Sequence, residues 1–444
     1  MQFSAEAPSH STAHRQTETV QPGDDICGHY RALRQQSEVF CAPLHTDDFN
    51  LQAMPETSPP KWHLAHTTWF FETFVLKPFC PHYQVYNTYF ESLFNSYYTG
   101  VGTAAFPRAQ RGLLSRPTTT EVFQYRSAID QQILALLRHD HPQREQILQR
   151  ITLGLQHEQQ HQELLLTDIK YGFSINPMTP IYCNRNDRTA VRGFPLRSTA
   201  KLNWTEFNEG MCDIGAAASG GFYFDNEAPR HRVFLHSYAL ANRLISNGEY
   251  LAFIEDDGYQ RPELWLADGW QQAQQHKWQA PLYWRRQGHA WQLFTLHGEV
   301  PLNLSEPVCH VSYYEADAFA RWSGVRLPTE LEWENAAASQ PVEGRFVDDG
   351  ILHPRAACGE KQFLQQLYGD VWEWTASAYA PYPGYEAPAG AIGEYNGKFM
   401  CNQMVLRGGS CASARSHLRA SYRNFFYPGD RWQFAGIRLA RSLH

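Results

Sequence analysis

Residues 142–173 read PQREQILQRITLGLQHEQQHQELLLTDIKYGF. Ile147, Ile151, Gly154, His157, His161, Leu164 and Asp168 recur at steps of three and four, so they share one face of a helix opened by Pro142. That face carries core residues, so the two histidines on it point inward. Upstream, the same periodicity predicts a helix over Thr118–His139, with Val122, Ile129, Ile133 and Leu137 on its apolar stripe. A dense apolar run, HLAHTTWFFETFVLKPF, is expected to be helical until Pro78, and an opening helix covers Ile26–Phe40. Four such helices predict an antiparallel bundle over residues 26–175, with Asn87–Arg116 as a long inserted loop rich in Tyr, Gly and Arg.

Outside this unit the chain changes character. Residues 1–25 are polar, lack the apolar segment of a signal peptide, and are expected to be a mobile tail. Residues 176–202 hold Pro, Asn and Arg without helical periodicity and read as a linker. Residues 203–444 are rich in Gly, Trp and short polar-aromatic runs. SYYEADAFARWSG and RLPTELEWENAAA are predicted helices, while LYGDVWEWTAS and VLRGGSC read as strands and turns of a compact α+β domain.

Bulk composition narrows the function. A net charge of −7 gives no cationic field for nucleic acid or an anionic membrane. No apolar run approaches the roughly 20 residues that span a bilayer. Nine cysteines without a CxxC pair suggest reduced thiols in a cytoplasm.

His157 and His161 are one helical turn apart on the inward face, where both imidazoles can reach one ion. A third ligand can come from WHLAH, which supplies His63 and His66. Three imidazoles on two facing helices leave about three open positions on an octahedral ion, which suits iron(II) with oxygen and substrate. Zinc is the alternative, since HEQQH also fits the HExxH pattern of zinc peptidases with Glu158 as general base. A further alternative is a buried, hydrogen-bonded histidine pair with no metal.

VSYYEADAFARWSGVRLPTELEWENAAA, LYGDVWEWTAS, RGGSC and AGIRLA resemble successive signatures of the formylglycine-generating-enzyme (sulfatase-modifying factor) fold, a C-type-lectin-like variant. HLAHTTWFFE with HEQQHQE resembles the metal-binding pattern of DinB-type four-helix bundles. In this order the two resemble the iron(II) sulfoxide synthases of ergothioneine biosynthesis, from about Ile26 onward. The resemblance implies that oxygen, a thiol and hercynine (the Nα-trimethyl betaine of histidine) react at iron, forming a C–S bond and a sulfoxide. It also implies that His66, His157 and His161 are the ligands.

Further expectations follow from the resemblance. A tyrosine must protonate the reacting oxygen, or thiol dioxygenation competes. Tyr98 of FNSYYTG is the expected donor, with Tyr97 orienting or contacting substrate, and Tyr379 after WEWT is the competing choice. Arg108 and Arg111 of FPRAQRGLLSRPT are expected to hold substrate carboxylates through their planar forks. Asn424, Phe425 and Phe426, with Trp432 close by, are expected to meet the hercynine trimethylammonium, and Gln160 its carboxylate or imidazole. Members using γ-glutamylcysteine carry an acid and a downstream Arg in this last segment. Here Phe426 and Gly429–Asp430 stand instead, which favours free cysteine. Ovothiol-type synthases, the other alternative, carry a methyltransferase domain, and no GxGxxG-like segment is present. Calcium is a candidate structural ion of the second domain.

Overall fold

The computed structural model describes residues 26–183, 201–217, 220–357 and 364–443. The expected tail and most of the expected linker lie outside these residues. Four helices build the first half: Ile26–Cys41, Pro60–Phe71, Thr119–Arg138 and Arg144–Ile175. The third starts where Thr118 Oγ1 accepts from the Glu121 N–H and Glu121 accepts from the Thr118 N–H, a reciprocal cap that satisfies two end groups. The second helix does not run unbroken to Pro78. From Glu72 to Leu76, just ahead of Pro78, it widens into a π turn. The buried Glu72 carboxylate is held there by Tyr83 Oη and the Tyr86 N–H at 2.8 Å each, and by Tyr125 Oη. The inserted loop is not wholly irregular, since Phe90–Phe94 forms a short helix and Arg108–Leu113 a 3₁₀ turn.

The 32-residue helix Arg144–Ile175 passes so close to Pro60–Phe71 that a Cβ on Gly154 would lie 2.5 Å from the Phe71 ring. Glycine at that position lets the two histidine-bearing helices approach.

The second half contains short sheets connected by long loops. Its central four-stranded sheet has the order Asn424–Phe426, Met404–Arg407, Trp372–Ala378, Ala435–Gly436, antiparallel except for the last pair. The helices Tyr313–Trp322 and Glu330–Ala337 begin at Ser312 and Thr329, each with the same reciprocal cap as Thr118. In the RGGSC turn, Gly408 and Gly409 take φ of +96° and +84°, where a side chain is strained. A Cβ on Gly408 would also meet the Leu367 carbonyl oxygen at 2.4 Å.

Buried side chains of both halves join in one continuous apolar core. Polar contacts reinforce the seam. Gln156, Gln159, Gln160 and Glu163 form a stripe on the Arg144–Ile175 helix that faces residues 372–422. Glu163 accepts from Trp372 Nε1 at 2.8 Å, Ser410 Oγ at 2.5 Å and Ser413 Oγ at 2.6 Å. Gln159 donates to Ser416 Oγ at 2.8 Å. Among the described residues, no helix is long and apolar enough to cross a membrane.

Candidate metal centre

Helical spacing puts His157 and His161 on one face, and the close packing at Gly154 brings His66 opposite them. One ligand nitrogen from each of the three lies within 4.8 Å of the others. His66 Nε2 and His157 Nε2 are 3.2 Å apart. His66 and His157 are buried, and His161 is partly open, so the cluster has an accessible side. Burial lowers all three pKa values, that of His157 to about 3, with neighbouring histidines adding to the effect at His66 and His161. The rings are therefore neutral near pH 7, the form that binds a metal. His66 Nδ1 lies 2.5 Å from the Phe94 carbonyl oxygen and must donate to it, leaving the Nε2 lone pair facing the other rings.

His63, the other histidine of WHLAH, is not in the triad. Its Nδ1 is 2.9 Å from His161 Nδ1 and its Nε2 is 3.1 Å from Asp168 Oδ2. Glu158 faces away from the cluster. Ser37 Oγ donates to it at 2.6 Å, Arg34 at 2.7 Å, and Arg126 also binds it. Burial raises its pKa, but the two guanidinium groups outweigh that and hold it below the usual range. A carboxylate so engaged cannot serve as the base of a zinc peptidase. No second group of three His, Cys, Asp or Glu ligands occurs among the described residues.

The tyrosine loop lies between the two domains. Tyr98 is fully buried, its hydroxyl makes no well-formed hydrogen bond, and its ring stacks on Tyr97 at 4.6 Å. Burial, then the Tyr97 and Tyr395 hydroxyls, raise its pKa well above the ordinary value. Tyr97 in turn contacts Phe399 at 4.8 Å. The loop is docked by Glu394, which accepts from Thr99 N at 3.0 Å and from Gly100 N at 2.6 Å. Tyr379 comes from the second domain. It stacks on Phe425 at 4.0 Å and its hydroxyl accepts from Asn226 at 2.9 Å.

Arg111 is buried, with its guanidinium 3.4 Å from the centre of the Trp62 ring, on which the His66 ring also stacks at 4.4 Å. It donates to Ser58 Oγ at 2.9 Å, and its Nε has no partner. Arg108 is exposed and donates to the Glu56 carbonyl. The expected aromatic cluster is divided. Successive strand residues point to opposite faces, so Phe425 lies against Tyr379, whereas Phe426 meets Trp432 at 5.9 Å. The Asn424 carbonyl Oδ1 accepts from the Phe425 N–H at 2.9 Å. A cleft of about 1020 Å³ opens beside Trp432, lined among others by Glu56, Trp278, Asp430 and Arg431. Burial raises the Asp430 pKa to about 7.

Sequence reasoning missed the residues that surround Gln160. Its amide nitrogen donates to Tyr422 Oη at 2.7 Å and its amide oxygen accepts from Tyr395 Oη. Tyr395 also sets its ring edge-on to His157 at 5.5 Å. His417 joins Gln156 at 2.7 Å to Tyr422 Oη at 2.9 Å. The available signal was AIGEYNGKFM, residues 391–400, where Gly, Tyr and Asn crowd a stretch without periodicity.

Residues 206–363 and 354–443 match the family described as Sulfatase-modifying factor enzyme 1-like domain, and residues 29–165 match the DinB superfamily. The chain is 38% identical over 245 residues to the hercynine oxygenase of Mycobacterium tuberculosis, covering 49% of this chain and 56% of that protein. It is 37% identical over 300 residues to the hercynine oxygenase of Mycolicibacterium smegmatis, covering 58% and 69%. Ergothioneine biosynthesis protein 1 of Schizosaccharomyces pombe is 30% identical over 284 residues, covering 59% of this chain and 33% of that protein. The matches thus span 33% to 69% of these relatives' lengths. With both domains matched in this order, the chain belongs to the sulfoxide synthase family of ergothioneine biosynthesis.

Proposed function

We propose that this protein uses one iron(II) ion and O₂ to join cysteine to hercynine, giving a hercynylcysteine sulfoxide. The reading rests on one observation: three neutral imidazoles converge on one point at the seam of the two domains. The donor set fits the ion, because imidazole nitrogens suit iron and three of them leave positions open. His66, His157 and His161 would hold it. Bound there, iron(II) would supply oxygen activation and a template for both substrates. The overall change is balanced: a thiol S–H, an imidazole C–H and O₂ become a C–S bond, an S=O bond and water.

The chain's own groups would orient the substrates and handle protons. Tyr98 keeps its phenolic proton at neutral pH, as a donor must, because burial raises its pKa well above the ordinary value. Tyr97 packs on it and orients it. Arg111 has an unpaired Nε and so retains capacity for a substrate carboxylate, with Arg108 at the rim. Gln160 and Asn424 are the proposed hercynine contacts, with the trimethylammonium meeting one ring of the divided pair, Phe425 or Phe426. Phe426 and Asp430, in place of an acid and an arginine, favour cysteine over γ-glutamylcysteine.

The test is anaerobic loading with iron(II), then oxygen with hercynine and either thiol, with products analysed by mass. The reading predicts the cysteine adduct as sulfoxide, at a kcat/KM at least tenfold above that for γ-glutamylcysteine. A preference for γ-glutamylcysteine overturns the thiol assignment, and no adduct with either thiol overturns the function.

A further inference from the structure

Three donors converge on the Asp168 carboxylate. The Ser58 N–H donates to Oδ2 at 2.8 Å and Trp432 Nε1 donates to Oδ1 at 3.2 Å. His63 Nε2 is 3.1 Å from Oδ2. An ionised carboxylate only accepts, so His63 Nε2 carries a hydrogen. In the tautomer that this hydrogen bond selects, His63 presents Nδ1 as an acceptor. Its neighbour at 2.9 Å is His161 Nδ1, which must therefore donate. The consequence falls on the far side of the His161 ring, where Nε2 is left with a free lone pair.

We propose that His63 and Asp168 are positioning residues that fix His161 in the tautomer and orientation a metal requires. The inference rests on the metal reading of the three-histidine cluster. The three rings differ in how they are held. His66 is locked by the Phe94 carbonyl and His161 by His63, whereas His157 Nδ1 is buried with no partner. The His161 lock is the only one of the two that reaches the second domain, through Asp168 and Trp432. It also explains why the chain has two histidines in WHLAH, one turned to the cluster and one to its support.

The test is Co(II) titration of the full-length apoprotein, with proton NMR of the cobalt form. His63→Phe keeps a ring in place and removes both nitrogens. His63→Gln retains an acceptor for His161 and a donor for Asp168. His63→Phe should weaken Co(II) binding roughly 10- to 100-fold, as loss of such supporting partners does. It should also lose one slowly exchanging, hyperfine-shifted N–H resonance. His63→Gln should bind within about threefold of wild type, a difference set against the same scale. If His63→Phe does not fold, His63→Ala replaces it with the same expectation. Unchanged affinity and resonances without the His63 nitrogens overturn the proposal. So does a His63→Gln protein as weak as His63→Phe, which would make the imidazole itself the requirement. Failure of the wild-type protein to bind Co(II) overturns the metal reading, and this inference with it.

Discussion

At the scale of single residues, partnership separates groups that look alike in sequence. Two histidines stand three apart in WHLAH, and only His66 joins the cluster, its Nδ1 held by the Phe94 carbonyl and its Nε2 facing His157. Tyr98 and Tyr379 both looked eligible as donors; the Tyr379 hydroxyl accepts from Asn226 and keeps its own O–H to give, so the choice of Tyr98 rests on its place, fully buried in the loop between the two domains. Tyr98→Phe is therefore expected to retain iron while product shifts from sulfoxide toward cysteine sulfinic acid, measured by mass on both products. Normal sulfoxide output from Tyr98→Phe, with loss in Tyr379→Phe or Tyr395→Phe, would move the donor. His417 gives a prediction about pH. Burial, reinforced by Arg419, holds its pKa well below 6.5 in the folded protein. The folded state then stays unprotonated while the unfolded chain takes up a proton below about pH 6.5. The stability His417 contributes is present above that pH and is lost as pH falls. Against His417→Asn, the wild-type advantage in thermal unfolding should be largest at pH 8. It should shrink by up to about 1.4 kcal/mol per pH unit below 6.5.

At the scale of elements, the Arg144–Ile175 helix was the most legible part of the sequence. Its period of 3.6 placed His157, His161 and Asp168 on one inward face. The polar stripe of Gln156, Gln159, Gln160 and Glu163 was not read as an interface, because its partners lie more than 200 residues away and leave no local periodicity. Strand alternation likewise split Phe425 from Phe426, which a cluster read from adjacency could not anticipate. The π turn at Glu72 depends on three partners spread from Tyr83 to Tyr125, again beyond local reading. The glycine in the long helix supports a prediction at this scale. Alanine would gain about 1 kcal/mol of helix propensity at position 154. Its methyl group would also stand 2.5 Å from Phe71, whose ring is fully buried and cannot swing aside. Overpacking of this kind costs about 1–3 kcal/mol, so Gly154→Ala should destabilise on balance. Denaturant unfolding would show the midpoint falling, and a rise would mean the helices can part without penalty.

At the scale of the whole molecule, the two domains are tied by a shared core and by the contacts of one helix. The order of the domains and the fold of each were readable because both carry compact signatures. How they meet was not readable, since it is made by Glu394 docking the tyrosine loop, Tyr395 reaching Gln160, and Trp432 reaching Asp168. The cluster lies where a bundle can supply ligands and the second domain can supply walls. The central claim is that His66, His157 and His161 share one ion. Anaerobic titration of the protein with iron(II), followed by nitrosyl-adduct EPR with detection of nitrogen couplings, tests it directly. The account predicts one iron per chain coupled to imidazole nitrogens, with binding lost in His161→Ala. Undiminished binding in His161→Ala, or no stoichiometric uptake by the wild-type protein, would contradict it.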